Sequence, residues 1–294
     1  MTLFVTGAQS FIGAELLRLG RQEALDIAGI DLAPARPGCQ QADIRDPHLA
    51  DLIPPGTQTV IHLAAVSRDP DCRANPRLAF DVNVTGTLNL IEAAKARQVP
   101  QFIFASSEWV YGSVRNDEAQ VEDQPIDATR LQSEYALTKL VGEQCLRLAQ
   151  TAGLPAATVL RFGIVYGPRP ANWSAVEALF NAVRLQEHVQ VGNRQTARRF
   201  IHVTDIARGL LAARGRTGYE VFNLSGDRLI TLAEVVQTSA RLLRRQPRLV
   251  ETNPAQLSIR NPDNAKARAL LNWRPEIDLE AGLHSLHLYL ENRN

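Results

Sequence analysis

The chain has 294 residues, enough to bury a full core and to form one large α/β domain, or a main domain carrying a smaller one. Its 32 basic and 31 acidic residues nearly cancel, so no polyanion-binding surface is implied; the densest basic patch, Arg241, Arg244 and Arg245 with Arg248 on a late amphipathic helix, reads as a solvated face. Cys39, Cys72 and Cys145 are odd in number and lack any Cys-x2-Cys spacing, which argues against a disulfide framework and against a zinc site.

The N-terminus enters an apolar strand at once, and no apolar run approaches the ~20 residues of a membrane span, so a cytoplasmic protein is expected. That strand, Leu3-Phe4-Val5-Thr6, runs through a glycine turn into a helix carrying Phe11, Ile12, Leu16, Leu17 and Leu19. A strand, tight turn and helix in this order aim backbone N–H groups and the positive helix end at an anion such as a dinucleotide pyrophosphate. Gly7 permits the turn, and Gly13 lets the helix lie close on the sheet. Ser10 stands where a middle glycine would complete the usual fingerprint, and it is expected to cap the helix beginning at Phe11.

Ala24 to Asp31 reads as a second strand ending in an acid, near the ~20-residue interval at which a carboxylate meets the adenosine ribose. Such an acid repels a 2′-phosphate and favours NAD over NADP, while Arg36 keeps the phosphate option open; a helix or turn cap is the plainer use of Asp31. A short strand over Ala42 to Asp46 leads to a helix capped before Pro47, and a buried strand runs from Thr59 to Ala65. His62 in that strand reads as a packed residue. Phe80, Val84, Leu88 and Ile91 mark a long amphipathic helix from Asn75 to Ala96, followed by a strand from Gln101 to Ser107. Alternation of this kind predicts a parallel, doubly wound sheet.

A helix from Leu131 to Thr151 carries Tyr135 and Lys139, which share one face. A Lys beside a Tyr lowers the phenol's pKa from ~10 towards neutrality, as a general acid/base requires. The apolar seam of Leu137, Val141, Cys145 and Leu148 accounts for the same helix as a structural element alone. After a strand from Ala156 to Arg161 the alternation becomes irregular, so residues 1–165 are expected to form the cofactor-binding domain and 166–294 a smaller substrate-binding region. A strand near 219–224 is expected to return to the main sheet. The smaller region is expected to hold a helix near Ser174 to Arg184, a strand at Arg199 to Val203 and a helix from Asp205. His284 and His287 share a face of the last helix, but no third ligand accompanies them and no metal is expected.

The ordered set Thr6-Gly7-Ala8 to Phe11-Ile12-Gly13, Asp31, Asp43-Ile44-Arg45-Asp46, His62-Leu63-Ala64-Ala65, Asn83 to Thr87, Ser106-Ser107 to Val110-Tyr111-Gly112, Tyr135 to Lys139, Leu160-Arg161 to Tyr166-Gly167-Pro168, Arg198 to Val203 with Asp205, and Asn272 to Pro275 resembles the NAD-dependent epimerase/dehydratase family of extended short-chain dehydrogenases/reductases. The resemblance implies a Rossmann fold with NAD as cofactor. It implies that Gly7, Ser10, Phe11, Ile12, Gly13 and Asp31 hold the cofactor together with Asp43, Ile44, Leu63, Ala64, Ala65, Asn83, Ser106 and Phe162. Ser107, Tyr135 and Lys139 would be the catalytic trio, with Tyr135 and Lys139 also touching cofactor, and Ser107, Glu108, Tyr135, Ile164 and Arg198 would face the substrate. The helices from Asn75 and Leu131 resemble those that pair across a twofold axis, so a homodimer is expected.

Three departures bear on the substrate. Ile164 replaces an Asn common in nucleotide-sugar enzymes, and an Arg that grips the diphosphate falls, by ungapped alignment back from Asp263, on Asn253. Trp109 replaces the second acid of the dehydratases, which ranks dehydration low; Glu108 reads equally as an extra acid/base or as a wall of the pocket. The leading expectation is an epimerase acting on a nucleotide-linked sugar by transient hydride transfer. The alternatives are a dehydrogenase or reductase with net redox change on a free sugar, sugar acid or keto-sugar, and a non-catalytic dinucleotide-sensing protein.

Overall fold

Both parities of the first strand are apolar, as a strand covered on both faces requires: Leu3 and Val5 enter one core, Phe4 the other. The computed structural model describes residues 2–112 and 117–293. Seven strands form the central sheet: β1 (Thr2–Thr6), β2 (Asp26–Asp31), β3 (Cys39–Gln41), β4 (Thr57–His62), β5 (Gln101–Ser107), β6 (Ala156–Phe162) and β7 (Gly218–Leu224). Their order is β7-β6-β5-β4-β1-β2-β3 and every neighbouring pair is parallel, the doubly wound Rossmann arrangement.

One face is covered by α1 (Phe11–Gln22), which contributes Leu16, and by a later helix that contributes Ile206 and Leu210. On the other face lie α2 (Gly86–Ala96), with Leu90 and Ile91, and α3 (Glu134–Thr151), with Leu146. A third core gathers Phe180 from α4 (Ala175–Leu185), Val235 from α6 (Leu232–Leu243) and Leu283 from α7 (Leu279–Glu291), with α5 (Val203–Ala212) between it and the sheet. No helix among the described residues is long and apolar enough to cross a membrane.

Several elements differ from their sequence expectation. The helix expected over 75–96 is broken into Pro76–Phe80, a π-helical turn Asp81–Thr85, and α2. Within that turn Asn83 accepts from Val66 N at 2.8 Å and donates to Thr138 Oγ1 at 3.0 Å, so its side chain is committed to tertiary contacts, as single π turns at sites often are. The helix expected from Leu131 begins at Glu134, because Ser133 Oγ accepts from Ala136 N and caps it. Asp43–Asp46 is a turn rather than a strand: Asp43 Oδ1 accepts from Arg45 N at 2.9 Å, and the third strand ends at Gln41. The one-turn helix Leu49–Leu52 is preceded by His48, not by Asp46.

The strand expected at Arg199–Val203 is two short strands, Ala197–Arg198 and Ile201–His202, belonging to different small sheets, and α5 starts at Val203 rather than Asp205. Of the basic patch only Arg241 is helical. Arg244 ends α6 in the left-handed conformation at φ 52°, and Arg248 begins a separate strand.

Candidate active site

A cavity of about 750 Å³ opens at the carboxyl ends of β1, β4, β5 and β6, where the strand order reverses beside β1. Its floor is the first turn. Gly7 adopts φ +69°, and a Cβ on Gly13 would stand 2.2 Å from Gly7 O, so a side chain at 13 would lift α1 off the turn. Ser10 Oγ accepts from Gly13 N at 3.1 Å, which makes it the helix cap anticipated from sequence. Gly7, Ser10, Phe11 and Ile12 line the cavity with the helix N-terminus towards it, the arrangement that suits a pyrophosphate.

Asp31 also lines the cavity, and both of its oxygens hold the turn: Oδ2 accepts from Gln9 N at 2.9 Å and Oδ1 from Ala33 N at 3.0 Å. Asp31 thus holds the turn and lines the cavity at once. Asp43 and Ile44 line the same end, where Arg45 pairs with Asp43 at 2.6 Å and pulls its carboxyl below the usual range. Leu63, Ala64 and Ala65 follow β4 as a wall of small and apolar groups. Behind them His62 is buried, 2.7 Å from Thr6 Oγ1 and 3.0 Å from Thr87 Oγ1, and burial drives its pKa down to about 3. It is a packed residue joining β1, β4 and α2.

Ser107 ends β5, Tyr135 and Lys139 lie on the first two turns of α3, and all three line the cavity with Ser106, Phe162 and Ile164. Lys139 Nζ donates to Ala105 O at 2.8 Å and sits 5.9 Å from the Tyr135 ring centroid. Burial lowers Lys139 to about 8. The expected depression of the Tyr135 pKa does not appear: burial pushes the phenol up to about 12, opposed by the Ser107 hydroxyl beside it. Desolvation outweighs that hydrogen bond, and the neighbouring ammonium is turned to a backbone carbonyl.

Four expected site residues do not line the cavity. Gly13 acts through packing. Asn83 ties the loop after β4 to α3. Glu108 is 1 % exposed and lies next to Arg260. Arg198 spends its donors on Ala197 O and Ser258 O, each at 2.7 Å, and on Ser258 Oγ at 2.9 Å. Ser106 lines the cavity, yet its hydroxyl is held by Glu143, which in turn pairs with Arg161 at 2.7 Å.

Conversely, Arg68, Asp69, Trp109, Arg169 and Trp173 line the cavity and were not assigned from sequence. Arg169 directly follows Tyr166-Gly167-Pro168; it pairs with Glu177 at 2.8 Å and lies 4.3 Å from the Phe11 ring centroid. Its place beside a matching motif was the available signal.

The NAD dependent epimerase/dehydratase family matches this chain over residues 3–225, and the chain belongs to that family. It is an enzyme of the isomerase or oxidoreductase kind, and NAD is its cofactor. A UDP-glucuronate 4-epimerase of Thermodesulfobacterium geofontis is 32% identical over 230 residues, covering 76% of this chain and 69% of the relative. A GDP-6-deoxy-D-mannose reductase of Pseudomonas aeruginosa is 28% identical, with 99% of this chain and 97% of the relative covered. Among solved structures, MoeE5 in complex with UDP-glucuronic acid and NAD superposes over 100% of both chains with a TM-score of 0.89 at 26% identity.

Proposed function

We propose that the chain is an NAD-dependent 4-epimerase of a UDP-linked sugar, with Ser107, Tyr135 and Lys139 as its catalytic residues. The single observation carrying this reading is the convergence of those three side chains on the cavity whose other end is the Gly7–Gly13 turn. The cavity fits a dinucleotide: an acid at the end of β2, the helix N-terminus after β1 and a wall of small residues after β4 follow one another in the order of those neighbouring strands. Bound NAD supplies the transient acceptor and donor of hydride.

The protein's own part is positional and protonic. Ser107 holds the reacting sugar oxygen by a hydrogen bond, and Tyr135 takes and returns its proton. At about 12 the buried Tyr135 phenol is held in its protonated form, the one that donates a proton. Lys139, whose Nζ donates to Ala105 O, would hold the cofactor ribose and, in its cationic form, favour the phenolate. Asp31 favours NAD over its 2′-phosphorylated form. Residues 1–165 carry the cofactor and 166–294 the sugar nucleotide; the protein works in the cytoplasm as a homodimer through the helices of 76–96 and α3.

Tyr135→Phe is expected to reduce epimerisation at least ~10³-fold while NAD affinity stays within about twofold, measured by turnover and by cofactor titration. Retained turnover contradicts the assignment. A second reading, reduction or oxidation with net redox change, is favoured by the reductase among the relatives, and net consumption of nicotinamide would select it.

A further inference from the structure

Three segments far apart in the chain meet in one stack on the cavity wall. Phe11 opens α1, Arg169 and Trp173 stand in the loop between Tyr166 and α4, and Arg68 follows β4, directly before the short helix Asp69–Ala74. All four line the cavity. The Arg169 guanidinium lies 4.3 Å from the Phe11 ring centroid and 5.3 Å from that of Trp173, and the Arg68 guanidinium lies 5.4 Å from the Trp173 centroid. Ring and guanidinium thus alternate from the first residue of α1 to the loop after β4. The Arg169 side chain is 12% exposed, that of Arg68 45% and Trp173 53%, so the stack begins in the floor and ends at the rim.

Both guanidiniums keep donors in reserve. Arg169 spends Nε and Nη2 on Glu177 and Val165 O, while its Nη1 has no acceptor among the described residues. Arg68 donates a hydrogen bond to no described residue, and Asp71 Oδ1 is 3.7 Å from its Nη1, too far for one. Packing on a ring uses the face of a guanidinium and leaves its N–H edge for an anion, above all for the paired oxygens of a phosphate. Two cations on one indole also repel each other, and an anion between their edges relieves that repulsion. The pyrophosphate of NAD is such an anion, and Phe11 at the foot of the stack is the first residue of the helix whose N-terminus suits it. We propose that Arg68, Trp173 and Arg169 form a clasp that binds the cofactor pyrophosphate through these free edges and sets how slowly NAD leaves, a second anchor besides the Gly7–Gly13 turn. The clasp rests on NAD as cofactor and not on the proposed epimerisation, so it stands whether redox change is transient or net.

The test is stopped-flow release of NADH, followed by its own fluorescence, from NADH-loaded protein mixed with excess NAD, for the wild type, Arg68→Ala, Trp173→Ala and the double variant. Each single variant is expected to release NADH about tenfold faster than the wild type. The double variant is expected to stay within about threefold of the faster single one, because removing the indole already takes away the support of Arg68. Trp173→Phe, which keeps a ring between the guanidiniums, is expected to release NADH within about threefold of the wild-type rate. Calorimetric titration with UDP is expected to give one affinity for the wild type and all variants. Unchanged NADH release in either alanine variant overturns the clasp. So does a double variant about a hundredfold faster than the wild type, which would mean two separate contacts rather than one stack. Weakened UDP binding with unchanged NADH release assigns the guanidiniums to a substrate diphosphate and overturns it equally.

Discussion

Single residues carry the site's electrostatics, and His62 gives the cleanest consequence. Its ring is enclosed by Thr6, Thr87, Phe102 and Phe104, and burial holds its pKa at about 3 against an ordinary 6.5. Between those values the unfolded chain takes up a proton that the native chain refuses, so native stability falls as pH drops through 6.5 towards 3. Denaturant unfolding at successive pH values is expected to show wild type losing ~1.4 kcal/mol more than His62→Gln for each pH unit below 6. Parallel curves would mean that His62 is protonated in the fold. The sequence reading of His62 as a packing residue agrees with this surrounding, because a histidine inside an apolar strand run has no solvent to charge it. Arg260 was not legible in the same way: a two-residue strand brings it beside Arg198, whereas counting back from Asp263 led to Asn253, which is exposed and bonded to Gln256.

At the scale of elements, the strands and long helices were readable because hydrophobic period reports burial directly. The π turn was not, since Phe80, Val84, Leu88 and Ile91 keep helical spacing across it and its cause is a tertiary bond from Asn83 to the Val66 backbone. The cavity-lining residues Gly7, Ser10 to Ile12, Asp31 and Asp43–Ile44 were legible from the motif, because backbone geometry dictates their types. Glu108 and Arg198 fall outside the cavity lining, because the face a side chain takes after a strand end depends on short strands that carry no periodic signal. The same helices leave Leu78, Phe80, Leu88, Leu137 and Leu148 37–60% exposed, apolar surface that the proposed dimer would cover. Sedimentation of Leu88→Lys/Leu137→Lys at micromolar concentration is expected to give a monomer where the wild type gives a dimer. A wild-type monomer, or a variant that remains dimeric, contradicts that interface.

The whole molecule places a cavity at the sheet's switch point and a separate core of α4, α6 and α7 beyond it, the division on which the proposed split between cofactor and sugar rests. Such a division suits a reaction in which the sugar turns while the cofactor stays. It also fits the absence of a strong net charge, since a small anionic substrate is gripped by a few placed groups rather than by a basic surface. In the proposed reaction the redox change is transient. The most direct measurement is to incubate the NAD-loaded protein with UDP-glucose, following the ratio of 4-epimers by proton NMR and the nicotinamide absorbance in the same sample. An approach to a mixture of the two epimers is expected, with no net reduced nicotinamide. Reduced nicotinamide accumulating in step with loss of substrate, or no epimer formed, would contradict it.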